Sequence, residues 1–144
     1  MDKQPEIIVG AFTLANSSIE SRHLPNSRKK KLTENIPHEK HLFSYPAVLI
    51  GRLGVNKAFT KKGIGSELLD YIKALAVFPE NWFGCRYLTV DAYNSEHTIK
   101  YYASNDFQPL FSTEKQEKEH IGCPDEKELK SRLMFFDLIR LFRN

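Results

Sequence analysis

Two cysteines and five histidines are all that 144 residues offer in soft metal ligands. Cys85 stands at the entrance to an apolar stretch and Cys123 in a polar one, too few and too scattered for a disulfide framework or a closed zinc site. The histidines show no helical pairing, and His38 and His41 fall in a polar connector, so no metal centre is expected. No apolar run reaches the ~18 residues of a membrane-crossing helix, and Met1-Asp2-Lys3-Gln4-Pro5 lacks the apolar core of a signal peptide. A cytoplasmic protein without membrane contact is the expectation. Internal repeats and low-complexity tracts are also missing. The net charge of +3 is small, so the chain is not basic throughout. Its length fits one domain, 1–144, that buries ~68% of its unfolded surface.

What is present is organised around residues 47–77. An apolar strand, Ala47 to Val55, leads through the basic turn Lys57-Ala58-Phe59-Thr60-Lys61-Lys62-Gly63 into a helix that carries Ile64, Leu68, Leu69, Ile72 and Ala76 on one side. The first amides of a helix have no intrahelical acceptor and lie at the positive end of the helix dipole, where they attract a diphosphate. Gly63 and Gly65 let phosphate oxygens approach the backbone, and Lys61 and Lys62 add charge beside them. A P-loop needs four residues between its glycines and then Lys-Ser/Thr; the dinucleotide fingerprint needs a third glycine. Gly63-Ile64-Gly65 satisfies neither, and alone it is equally a plain helix start.

Arg86 to Asp91 reads as a second strand, parallel to the first because the intervening helix is long enough for a crossover. Phe78-Pro79 ends that helix, and Trp82 and Phe83 are expected to pack under the strand. Asn94 or Ser95 can cap a second helix, with Ile99, Tyr102 and Ala103 on one face and Asn105 or Asp106 able to take the left-handed conformation that ends it.

With Tyr101-Tyr102-Ala103-Ser104-Asn105-Asp106-Phe107 closing that helix, the chain from Val9 to Leu110 resembles the Gcn5-related N-acetyltransferases. Ile50-Gly51-Arg52-Leu53-Gly54-Val55 and Ala11-Phe12-Thr13-Leu14-Ala15-Asn16-Ser17-Ser18-Ile19 are similar to small bacterial members, some of which are toxins that acetylate aminoacyl-tRNA. The resemblance implies an α/β acyl-CoA N-acyltransferase fold, a mixed sheet whose two parallel strands splay apart around acetyl-CoA. It implies cofactor contacts from Leu53, Gly54, Val55, Lys61, Lys62, Gly63, Ile64, Gly65, Ser66 and Asn94, with Gly54 keeping the gap open. Tyr102, rather than Tyr101, is placed to protonate the departing thiolate, its ordinary pKa of about 10 being near that of an alkyl thiol. The implied reaction is acetylation of a primary amine by direct attack; the alternatives are acetylation of charged tRNA and an inactive acyl-CoA-binding or interaction domain.

Thr60 stands where the family has Gln or Arg, and Asp106 where it has Gly. The family's front strand, two helices and strand have no counterpart before Ile7, so the fold is expected to be N-terminally shortened. A first strand at Ile7 to Ala15 would then be an apolar sheet edge, and a second copy of the chain is expected to cover it. No general base stands out: Glu67 and Asp91 suit solvated positions equally, and Arg52 is either an anchor for an anionic acceptor or an outward strand residue. Arg28-Lys29-Lys30-Lys31, in a short helix around Ser27 to Leu32, is either a nucleic-acid contact or a solvated face. Ser112 to Lys130 reads as a long hairpin loop, and Arg132 to Leu138 as a buried return strand.

Overall fold

The computed structural model describes residues 5–36, 43–78 and 84–142. The expectations for His38, His41, Trp82, Phe83 and the two ends of the chain fall outside these residues. Strands β1 (Gly10–Glu20), β2 (Ser44–Val55), β3 (Tyr87–Tyr93), β4 (Gln108–Pro109) and β5 (Ser131–Asp137) form one sheet in the order β1-β2-β3-β5-β4. Only the β2–β3 pair is parallel, so the sheet is mixed, as expected. Helices α1 (Asn26–Thr33), α2 (Ile64–Val77), α3 (Glu96–Ser104) and α4 (Glu114–Ile121) connect the strands.

Alternation along the strands decides what lies on each side. Val48 and Ile50 of β2, Leu88, Val90 and Ala92 of β3, and Met134 and Phe136 of β5 face one layer, closed by Leu69 and Ile72 of α2 and Tyr102 of α3. Tyr45, Ala47, Tyr87 and Phe135 face the other, where Leu32 of α1 packs with Leu110 and Phe111. Each such large apolar side chain contributes about 1.5–3 kcal/mol on burial. Polar ties lock the second layer: the Tyr87 hydroxyl donates to the Leu32 carbonyl at 2.7 Å, and Arg86 pairs with buried Asp137 at 2.7 Å.

Three expectations are corrected. The first strand begins at Gly10 and runs to Glu20, five residues past Ala15; Ile7 and Ile8 precede it and are 65% and 74% exposed. Ser112 to Lys130 is not a plain hairpin loop, because Thr113 caps α4 by accepting from the Gln116 N–H, and Gly122 ends it at φ 71°. The basic run does lie on a short helix, but Arg28 is not free for a nucleic acid: its guanidinium donates to the carbonyls of Leu110 and Pro109 at 2.7 and 2.8 Å.

Candidate functional site

The two parallel strands part where β2 takes in one extra residue. Against β1, Thr13 lies opposite Arg52 and Leu14 opposite Ile50, so Gly51 is left over as a bulge. On the other side of β2, pairing with β3 ends at Ile50 opposite Val90, although β2 continues to Val55 and β3 to Tyr93. A bulge bends its strand, which accounts for divergence starting there. A Cβ at residue 51 would stand 2.9 Å from the Thr13 hydroxyl, which accepts the Arg52 N–H, so a larger residue would have to displace that hydroxyl and its bond. Gly54 borders open space, since a Cβ there would meet nothing within 4 Å.

A cavity of about 530 Å³ occupies the parting. Arg52 and Leu53 come to it from β2, Asp91 and Tyr93 from β3, His97, Thr98, Tyr101 and Tyr102 from α3, and Lys130 and Ser131 from the entry to β5. Arg52, Asp91, Tyr93, His97 and Lys130 are exposed, giving the mouth two fixed cations, one carboxylate and a histidine. His97, Thr98, Lys130 and Ser131 escaped sequence reasoning because they lie far apart along the chain in polar surroundings.

The start of α2 has the predicted character. Gly63 sits at φ 77° and Lys61 at φ 62°, and the helix ladder begins with the Glu67 N–H to the Gly63 carbonyl at 3.1 Å, leaving the preceding amides without an intrahelical acceptor. Lys61 and Lys62 are exposed, and the Lys62 ammonium lies 5.4 Å from the Phe59 ring centre. Gly65 has another reason to be glycine: the Tyr101 ring stands 3.0 to 3.3 Å from where its Cβ would be. Ser66 accepts from the Asn105 side chain at 3.2 Å.

Tyr102 is 6% exposed, its ring packed edge-on against Tyr101 and Phe107. Its hydroxyl bonds to no other described residue. Because no buried side-chain polar atom among the described residues lacks a partner, that hydroxyl is not sealed off. Burial pushes its pKa up, which keeps it protonated. The Tyr101 hydroxyl is instead committed to the Gly65 carbonyl at 2.7 Å. Asn94 departs from its expected place: its amide donates to Glu114 and to the Leu129 carbonyl at 2.9 and 3.0 Å, and it does not line the cavity. Of the remaining candidates, Leu53 and Tyr102 line the cavity, while Val55 is paired with Gly10 and Ile64 is half-buried at the helix start.

A mixed sheet parted at a bulge, with a bare helix start beside the parting, defines an acyl-CoA N-acyltransferase fold. The chain belongs to the acetyltransferase (GNAT) family, whose model matches residues 32–107, more than half of its length. Among solved structures it is similar to AtaT complexed with acetyl-methionyl-tRNAfMet, with a TM-score of 0.64 and 22% identity over 93% of this chain and 65% of that one. It is also similar to the KacTA–DNA complex, with a TM-score of 0.58 and 21% identity over 93% and 63%. AtaTR bound with AcCoA matches with a TM-score of 0.56 and 23% identity over 94% and 66%. The chain thus spans less than two thirds of the length of these chains. A search of curated proteins finds no match.

Proposed function

We propose that the protein transfers acetyl from acetyl-CoA to a primary amine by direct attack. The observation that carries this reading is the Tyr102 hydroxyl, without a partner among the described residues and with its pKa raised by burial, in a cavity formed where β2 leaves β3. The residues present suit the donor: the open amides at the start of α2, with Lys61 and Lys62, would hold its pyrophosphate, and unpaired main-chain groups of β2 beyond Ile50 would hold its pantetheine arm. When bound, acetyl-CoA supplies the acetyl group as a thioester. Leu53 to Val55 provide a main-chain N–H for the developing oxyanion. The amine nitrogen would bond to the carbonyl carbon as the carbon–sulfur bond breaks, Tyr102 would give its proton to the leaving sulfur, and the proton shed by nitrogen would return through water to the Tyr102 oxygen. The domain acts as one unit, 1–144, in the cytoplasm.

Charged tRNA is the acceptor favoured within this reading, supported by the AtaT complex and by Arg52 and Lys130 at the cavity mouth. A second copy of the chain covers β1, an edge strand with no lysine or proline to discourage pairing. Sedimentation at increasing concentration reads that association; a monomer at all concentrations rejects it.

Thermal-shift titration with acetyl-CoA, followed by free-thiol release with a panel of amines and charged tRNA, tests the activity. Stabilisation with acceptor-dependent release is the expected result. Stabilisation without release would leave an acyl-CoA-binding or interaction domain, and no stabilisation would remove both.

A further inference from the structure

Helix α3 is tied to the first turn of α2 at two points one helical turn apart. The Tyr101 hydroxyl donates to the Gly65 carbonyl at 2.7 Å. Four residues on, the Asn105 amide donates to the Ser66 hydroxyl at 3.2 Å and to the Tyr101 carbonyl at 2.9 Å. The Asn105 carbonyl accepts from the Lys73 ammonium at 2.7 Å, and Lys73 is held in turn over the Phe136 ring, 4.3 Å from its centre. Asn105 and Lys73 are only 9% and 6% exposed.

A single tie would be a pivot about which α3 could turn; a second fixes its rotation. Tyr102 lies between the two, and its carbonyl accepts from the N–H groups of both Asn105 and Phe107 at 3.0 Å. We propose that Asn105, backed by Lys73, is a positioning residue that sets the Tyr102 hydroxyl in register with whatever the start of α2 holds. This rests on the acyl-transfer reading above. The Lys73 amine can donate whether charged or neutral, so the tie does not depend on its charge. Asn105 is not among the apolar residues that pack with Tyr102, whose ring lies against Phe107, so truncating Asn105 is expected to act on placement rather than on the core.

The test uses the full chain as wild type, Asn105→Ala, Ser66→Ala and the double variant, with acetyl-CoA as the probe. Coenzyme A release is measured with the best amine, acetyl-CoA binding by calorimetry, and the Tyr102 ring by NMR after 13C-tyrosine labelling. Asn105→Ala is expected to lower kcat about 10-fold or more, as displacements of order 1 Å do. Its acetyl-CoA Kd is expected to stay within about 3-fold, and the double variant to be no worse than Asn105→Ala, because both remove one tie. A kcat within about 2-fold of wild type, a loss explained wholly by Kd, or additive losses would overturn the proposal. Should the wild type release no coenzyme A, the acyl-transfer reading fails, and the Tyr102 ring signal of the free protein decides the positioning claim. A shift common to both single variants supports it, and an unchanged signal overturns it.

Discussion

The Tyr101 ring occupies the space that a side chain at Gly65 would need, and its hydroxyl is bonded to the Gly65 carbonyl at 2.7 Å. Two opposing effects therefore meet at residue 65. Alanine raises helix propensity by about 1 kcal/mol, but its Cβ would press on Tyr101 at 3.0 Å, and overpacking of this kind costs about 1–3 kcal/mol. Gly65→Ala should be neutral to destabilising in the wild type and stabilising by about 1 kcal/mol beside Tyr101→Ala. Urea unfolding of the four proteins reads the difference; equal effects in both backgrounds would show that the ring does not set residue 65.

Gly63 poses a different problem. A side chain there meets nothing within 4 Å, but φ is 77°. Gly63→Ala should therefore cost about 1–2 kcal/mol through backbone strain alone, and Gly63→Asn less, since Asn tolerates the left-handed region. Thermal melts of the two variants check the order.

Tyr102→Phe removes one oxygen from a residue whose ring is already held edge-on against Tyr101 and Phe107. Loss of a positioned acid lowers rates about 10²–10⁴-fold, so acetyl transfer should fall by at least 10²-fold. Acetyl-CoA binding should hold within about 3-fold, because the amides proposed to hold its pyrophosphate belong to the start of α2. Calorimetry beside thiol release separates the two. If transfer persists, the proton comes from elsewhere.

Alkaline behaviour follows from three phenols. Burial raises the pKa of Tyr87, Tyr101 and Tyr102 above the ordinary 10.0, so above that pH the unfolded chain has lost protons that the folded one keeps. Stability falls as pH rises through that value, and Cys85, raised from 9.0, adds to the fall. Lys73 acts oppositely: burial lowers its pKa, so between its folded value and 10.5 the unfolded chain holds more protons and stability climbs with pH. Urea midpoints should drop as pH rises above 10, less steeply in Tyr102→Phe, and more steeply in Lys73→Met because the lysine that opposes the fall is gone.

The strand, turn and helix from Ser44 to Val77 were legible because period-2 and period-3.6 apolar patterns meet there at a glycine turn. Helix α4 was not, although Thr113, Gln116 and Gly122 are cap signals. It has a single apolar residue, Ile121, and is anchored by buried Glu117, whose carboxylate takes the Arg132 guanidinium and the Leu133 N–H, both at 2.7 Å. Hydrophobic periodicity is blind to a helix held by an ion pair. The first strand was misplaced for a related reason: Ile7 to Val9 look like a buried run, whereas Asn16, Ser17, Ser18 and Glu20 are polar on a sheet edge and leave Ile19 as the lone apolar signal there. Tyr102 was singled out by the family resemblance of the Tyr101-to-Phe107 segment and does line the cavity, but the ties from Asn105 to Ser66 and Lys73 span 39 and 32 residues and leave no local signature.

The surplus glycine at 51 also reverses the parity of its strand. Val48 and Ile50 face the α2 layer on even numbers, and Leu53 packs against that same layer on an odd one. Deleting this one residue would keep Thr13 opposite Arg52 and Leu14 opposite Ile50 in a regular ladder, with Leu53 two places from Ile50 and still on its face. The bend that opens the cleft thus hangs on one surplus residue, while the apolar lining behind it would outlast that residue's loss.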